Sequence, residues 1–289
     1  MSRRNLQRSR AQTCNKTTVS QRHPFRHIVN LMGTSEKRFL SFAPWRIPVR
    51  LLKAVADIVY PPVCAGCGVL AGAGGAFCAQ CWSSIPFIER PYCEILGIPF
   101  SQDHGSGIVS GEAIAHPPVF DRLRAAVIHE GPARTLVHRL KYQDRTDLAR
   151  VMASWMLRAS DGYVEACDVI LPVPLHRRRF VMRRFNQSAE LARHLAKLTG
   201  KPLLPATLIR TRPTARQVGL SARARHENVR GAFAIASGHE ADVAGKRVVL
   251  VDDVYTTGAT VSAAVRLLKK SGATDVTVLT FAMAVSGPI

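Results

Sequence analysis

A chain of 289 residues, 47% of them hydrophobic, is long enough for about two domains and a sizeable core, which excludes a wholly disordered protein. Its formal net charge is +20, and about half of that lies in residues 1–50, where eleven Lys and Arg stand against Glu36 alone. No run of about 18 apolar residues occurs, which excludes a membrane-spanning helix and leaves a soluble, cytoplasmic protein with no membrane partner as the expectation.

Residues 1–45 are basic and rich in Ser, Thr, Gln and Asn, with little apolar periodicity, and read as a disordered tail. The tail is either a nucleic-acid-binding arm, a solvated extension, or the product of a translation start placed too early, with Met32 as a later start. Ser2-Arg3-Arg4 invites a twin-arginine reading, but no apolar core follows it. An Arg-rich, acid-poor start also fits a transit peptide if the source is eukaryotic.

A module over 46–110 follows. Val49, Leu52, Val55, Ala56 and Val59 recur at helical spacing until Pro61-Pro62 stops them. Cys64-Ala-Gly-Cys67 and Cys78-Ala-Gln-Cys81 then form two C-x-x-C knuckles, separated so that four thiolates can meet one tetrahedral zinc. With all four positions cysteine, no site is open for water, so the zinc is expected to be structural. Disulfides or unrelated buried thiols are the competing readings. Cys93 has Leu96 where a third C-x-x-C would need cysteine, and Cys14 and Cys167 stand without partners at useful spacing.

A third region, 120–289, alternates strand and helix patterns. Leu123–His129 reads as a strand and Pro132–Tyr142 as a helix with Leu136, Val137 and Leu140 on one face. A second helix is expected from about Thr146 to Leu157, then an apolar strand over Val169–Pro174. His176, Arg177 and Arg178 follow that strand end, a cationic cluster suited to a pyrophosphate or simply a solvated basic loop. Asn186 and Gln187 open an amphipathic helix through Leu191, Leu195 and Leu198. Arg212 to Ser221 is polar and precedes a short helical stretch over 222–228. It is either a lid, with Arg212, Gln217, Arg223 and Asn228 as contacts, or a structural connection.

Arg247 to Thr260 organises the rest. Val248–Val251 reads as a buried strand of a parallel sheet, ending in Asp252 and Asp253. Thr256, Thr257, Gly258, Ala259 and Thr260 then make a small, hydroxyl-rich turn that opens a helix over Val261–Ser271, and a last strand follows over 274–284. A turn at the carboxyl end of a parallel strand presents unpaired N–H groups and a positive helix end to an anion. Two acids beside a phosphate repel it unless they hold hydroxyls or a divalent cation, so the ligand class is a phosphorylated ribose, with Mg²⁺ bridging sugar and pyrophosphate. Nucleotide-loop and dinucleotide-fold glycine motifs are absent, which leaves ATP and NAD sites without support.

Val248 to Thr260 resembles the phosphoribosyl-pyrophosphate (PRPP) signature of type I phosphoribosyltransferases. Taken with Pro61-Pro62, the C-x-x-C pairs, Leu140-Lys-Tyr142, Pro172-Val-Pro174-Leu-His176, Phe185-Asn-Gln187 and Arg212 with Gln217, the chain over about 50–285 resembles the ComF family (competence protein F). The resemblance implies an α/β fold, a type I phosphoribosyltransferase-like parallel sheet with helices on both faces, preceded by a small zinc-binding module. It implies Asp252 and Asp253 at the ribose and its Mg²⁺, and Val254, Tyr255, Thr256, Thr257, Gly258, Ala259 and Thr260 around the 5′-phosphate. It further implies a role in natural transformation. Two departures stand out: Leu96 where the family often has cysteine, and Arg184 where it commonly has glycine. Two functions follow as expectations. One is a transferase moving phosphoribosyl from PRPP to an unidentified acceptor. The other is a non-catalytic PRPP-pocket protein acting on single-stranded DNA or with a DNA-processing partner.

Overall fold

The computed structural model describes residues 63–70, 77–103, 105–143, 145–175, 185–212 and 222–285. The basic tail, the helix expected over 47–60, His176 to Arg178 and Gln217 lie outside the described residues. The cysteine-rich segment carries two short helices, α1 (Ala79–Ser83) and α2 (Gly111–Ala115). Then come β1 (Arg122–Ile128), α3 (Gly131–Tyr142), α4 (Leu148–Ala159), α5 (Tyr163–Ala166), β2 (Val169–Pro172) and α6 (Gln187–Thr199). The chain continues through β3 (Leu208–Arg210), α7 (Ala222–Val229), β4 (Phe233–Ile235), β5 (Arg247–Tyr255), α8 (Ala259–Lys270) and β6 (Asp275–Met283).

β1, β6, β5 and β2 lie side by side in that order, every neighbouring pair parallel. β5 and β6 are therefore central, and the continuous apolar run Val248–Val251 follows from burial on both faces. Val248 and Leu250 join one apolar cluster with Val261, Val265 and Leu268 of α8, while Val249 and Val251 join another with Leu136, Met152 and Leu191 of α3, α4 and α6. The period-two alternation of a strand thus feeds two cores, one on each side of the sheet. β3 and β4 form a separate antiparallel pair that the sequence pattern did not reveal, because three residues are too few for a period.

One boundary differs from expectation in a way that matters. β5 does not end at the acid pair but runs on to Tyr255. β6 continues to pair with it from Asp252↔Thr280 to Tyr255↔Met283, whereas pairing with β2 stops at Pro172↔Val251. Beyond Val251 the strand keeps one neighbour and loses the other, and the acids sit where the sheet opens. α4 likewise starts at Leu148 rather than near Thr146.

The β1 edge is covered by the cysteine-rich segment. Phe87 bridges Val127 antiparallel, the Ile88 N–H donates to the Ala126 carbonyl (3.0 Å) and the Ile128 N–H to the Pro86 carbonyl (2.9 Å). This pairing satisfies backbone groups that an open edge strand would expose.

Candidate functional site

Strand β5 delivers Asp252 and Asp253 to the opening in the sheet, and three other elements meet them there. The Ser188 hydroxyl, in the first turn of α6, donates to Asp252 Oδ1 at 2.9 Å, and the Asp253 N–H donates to the same oxygen at 2.9 Å. Lys141, in the last turn of α3, places its Nζ 2.8 Å from Asp253 Oδ2. Burial, and after it the adjacent Asp253 carboxylate, push the Asp252 carboxyl up to about 7. His129 follows β1 and ties its N–H to the Met283 carbonyl at 2.7 Å. Its pKa is lowered by burial and by the charges of Lys141 and Arg134, with Asp253 opposing, so its imidazole is neutral at pH 7.

The turn after β5 is shaped for close approach. Gly258 has φ +70°, which favours glycine, and a Cβ there would stand 2.6 Å from the Tyr255 hydroxyl unless that ring moved. The Thr257 Oγ1 is buried and finds no hydrogen-bond partner among the described residues. α8 begins at Ala259 without a side-chain cap, leaving the N–H groups of its first turn and the positive end of a 12-residue helix directed at the same turn. Thr256 is exposed, Val254, Tyr255 and Thr260 are half-buried, and Ala259 is buried. A buried hydroxyl without a partner is costly unless something else accepts from it or donates to it, and an anion at the helix end would do so.

Of the residues expected from sequence, the structure brings Asp252, Asp253 and the 254–260 turn into one place, while His176, Arg177 and Arg178 lie outside the described residues. Arg212 takes a structural contact: its Nη2 donates to the Asn228 (3.3 Å) and Arg230 (3.0 Å) carbonyls, beside the end of α7. The Arg223 side chain lies outside the described residues. Sequence reasoning held Lys141 only within the Leu140-Lys-Tyr142 motif, with no role at the site, and missed Ser188 and His129. Lys141 had a signal, a cation between the buried Leu140 and an exposed tyrosine at a helix end, but its partner is 112 positions away in the chain.

The second constellation is the cysteine cluster. The Sγ atoms of Cys64, Cys67, Cys78 and Cys81 all lie within 4.8 Å of one another, and Cys67 and Cys78 are 3.7 Å apart, close to the roughly 3.8 Å that tetrahedral Zn–S bonds of about 2.3 Å impose. Gly66 and Cys78 donate their N–H groups to the Cys64 sulfur at 3.3 and 3.2 Å. Burial acts upward on Cys64, but donors from Cys67, Cys78 and Gly66 bring its pKa down to about 6, as a metal-binding thiolate requires. Cys81 is pushed up to about 12 by burial and by its three sulfur neighbours, a crowding of negative charge that a bound cation would relieve. A Cβ on Gly66 would meet the Cys81 sulfur at 2.7 Å, so glycine lets the knuckles close. The four donors fit zinc, which would cross-link the two knuckles and leave no position for a reactant. Arg139 of α3 donates to the Cys64 and Ala65 carbonyls at 3.1 and 2.8 Å and fastens the cluster to the sheet domain.

Comparison with known proteins bears on both constellations. The double zinc ribbon domain family matches residues 55–112, and the phosphoribosyl transferase domain family matches residues 188–288. The DNA utilization protein YhgH of Escherichia coli K12 is 33% identical over 207 residues, 70% of this chain and 87% of that protein. The chain belongs to the ComF/YhgH family. Within it, the YhgH protein of Salmonella typhimurium LT2 is 38% identical over 192 residues, covering 64% of this chain and 81% of its own length. Competence protein F of Haemophilus influenzae Rd is 30% identical over 213 residues, 71% of this chain and 90% of its own. Among solved structures, the glutamine PRPP amidotransferase from B. subtilis, complexed with ADP and GMP, is similar over 45% of this chain and 25% of its own, at 29% identity and a TM-score of 0.28. Membership of the ComF/YhgH family rests on the relatives and the two domain matches, not on that superposition. No helix among the described residues is long and apolar enough to cross a membrane.

Proposed function

We propose that this ComF/YhgH protein binds a phosphorylated ribose at the β5–α8 turn without turning it over, and works on single-stranded DNA or with a DNA-processing partner. The observation that carries the reading is the Thr257 hydroxyl, buried and partnerless among the described residues, beside the Gly258 turn at the uncapped head of α8. In this reading Val254 to Thr260 hold the 5′-phosphate of PRPP, His176, Arg177 and Arg178 its pyrophosphate, and Asp252 and Asp253 the ribose hydroxyls with Mg²⁺. Bound Mg²⁺ would supply neutralisation of phosphate charge.

Both acids are already engaged within the chain, Asp253 by Lys141 and Asp252 by the Ser188 hydroxyl, so a ribose or Mg²⁺ arriving there adds to or competes with those contacts. The names carried by the relatives, DNA utilization protein and competence protein F, support the DNA side. So does the net charge of +20. The transferase reading keeps support from the phosphoribosyl transferase match over 188–288, which includes the acid pair and the turn.

The test is calorimetric titration of the full-length protein with PRPP and Mg²⁺, a pyrophosphate-release assay across nucleobases, and a single-stranded DNA binding series in rising salt. Expected are PRPP binding, no release, and DNA affinity that falls steeply with salt. Asp253→Asn is expected to weaken PRPP binding about tenfold or more, the scale of one lost charge-assisted contact. Pyrophosphate release would make the protein a transferase. Absence of PRPP binding would remove the ribose-phosphate reading altogether.

A further inference from the structure

The cysteine-rich segment is built twice. In its first half Val63 and Leu70 form an antiparallel bridge, the Cys64 N–H donates to the Val69 carbonyl (2.8 Å), and the Gly68 N–H donates to the Cys64 carbonyl (2.9 Å). In its second half Tyr92 and Pro99 form the bridge, the Cys93 N–H donates to the Ile98 carbonyl (2.8 Å), and the Gly97 N–H donates to the Cys93 carbonyl (2.7 Å). Gly68 and Gly97 both take positive φ, +82° and +63°. The match extends across each loop. Cys78 caps α1 and donates its N–H to the Cys64 sulfur at 3.2 Å, while Ser110 caps α2 and donates its N–H to the Cys93 sulfur at 3.2 Å. The third residue of each helix returns its N–H to the cap side chain, Cys81 to Cys78 Sγ at 3.4 Å and Ala113 to Ser110 Oγ at 3.3 Å. Cys64, Cys67, Cys78 and Cys81 therefore correspond to Cys93, Leu96, Ser110 and Ala113.

We propose that the second half of the ribbon is a metal-free copy of the first, so that this chain takes one zinc although its family is that of the double zinc ribbon. The residues at the second site do not fit a metal. Leu96 and Ala113 have no donor atom and are 7% and 2% exposed, packed into the apolar cluster that holds Phe120 and Leu123. The Ser110 hydroxyl donates to the Cys93 sulfur at 3.2 Å, a thiol–hydroxyl hydrogen bond standing where a sulfur–metal–sulfur link would run. That leaves one thiolate for a cation that takes four ligands. The backbone template survives because other interactions hold it. Arg124 of β1, 2% exposed, donates to the Glu94 carbonyl (2.9 Å) and pairs with the Glu94 carboxylate (2.9 Å) inside the second knuckle. The first half also lays Ala65 and Phe77 against the sheet domain, but its four ligand positions all carry sulfur and Cys67 is exposed, so no apolar side chain stands there to replace a metal.

Cobalt(II) titration of the metal-stripped full-length protein, read by thiolate-to-cobalt charge-transfer absorption, tests the count. Saturation at one ion per chain is expected, abolished by Cys64→Ser with Cys67→Ser and unchanged by Cys93→Ser. A second equivalent in the natural protein, a metal that survives loss of Cys64 and Cys67, or a metal lost with Cys93 would each overturn the inference. Absence of any metal would overturn the four-cysteine site and the count together, while leaving PRPP binding to be judged on its own titration. The combined variant Leu96→Cys, Ser110→Cys and Ala113→Cys, folded by circular dichroism, is expected to take up a second ion. Uptake of only one by the folded variant would overturn the correspondence between the halves.

Discussion

The two halves of the ribbon share one backbone and are held by different chemistry. In the first, four sulfurs converge at a partly exposed point, with Cys64 and Cys81 forming a small cluster of their own alongside Phe77 and Cys78. In the second, the corresponding side chains are a lone thiol, a leucine and an alanine merged into the core on the α8 side of the sheet, and a half-buried serine bonded to that thiol. A knuckle too small to bury its own core needs a metal or another cross-link, whereas one laid over a neighbouring domain can use that domain's apolar surface. The Gly97 backbone shows how close the second one lies: a Cβ there would come 2.6 Å from the Leu123 carbonyl of β1. The ribbon fold is thus specified by its hydrogen-bond frame, and the metal is one of two ways to close it.

Metal removal should separate the halves most sharply. Structural zinc contributes on the order of 10 kcal/mol or more to small sites of this kind. On chelation, hydrogen exchange should therefore lose protection at the Gly68, Cys78 and Cys81 amides and keep it at Gly97, Ser110 and Ala113. Simultaneous loss in both halves would break the comparison. A smaller effect is expected from Arg124→Met. It removes the buried partner of Glu94 and Asp161, but both acids keep Arg90, at 2.6 and 3.0 Å, and remain partly exposed, so a loss of about 2 kcal/mol is expected, below the roughly 3 kcal/mol of an uncompensated buried pair. Urea denaturation should report it with the metal content unchanged. Tyr92 also donates its hydroxyl to Asp161, so the same network should slacken around the second knuckle alone. The smallest change is Ser110→Ala, which removes an N-cap and should cost about 1 kcal/mol, read by the denaturation midpoint. The matching change Cys78→Ala should abolish metal binding instead. Equal costs at the two caps would mean that metal and core do not divide the work as described.

Much of the candidate site was legible because its residues are contiguous. Val248 to Thr260 announce a strand, an acid pair and a glycine turn in one stretch, and the described structure keeps all three together. The four cysteines are similarly local, two pairs within one short segment. What was illegible came from distance. Lys141 and Ser188 reach Asp253 and Asp252 from helices that only the sheet order β1-β6-β5-β2 brings to the end of β5. Ser110 and Ala113 carry no cysteine, so nothing in their spacing marks them as the other half of a knuckle that begins at Cys93.

Local chemistry alone therefore settled the four-cysteine cluster and the turn at Gly258, since each depends on side chains and backbone conformations close together in the chain, while the parallel sheet with helices on both faces followed from the family resemblance. Tertiary structure decided where β5 ends. The ladder to β6 carries it to Tyr255, and the stop of β2 at Pro172 opens the sheet beside Asp252. It also decided which charges the acid pair meets, because a pKa near 7 for Asp252 arises from enclosure by several elements and not from its immediate neighbours in the chain alone. The division between a metal-held and a core-held ribbon belongs to the same level. Burial against β1 is a property of the assembled sheet, and no window of sequence contains it.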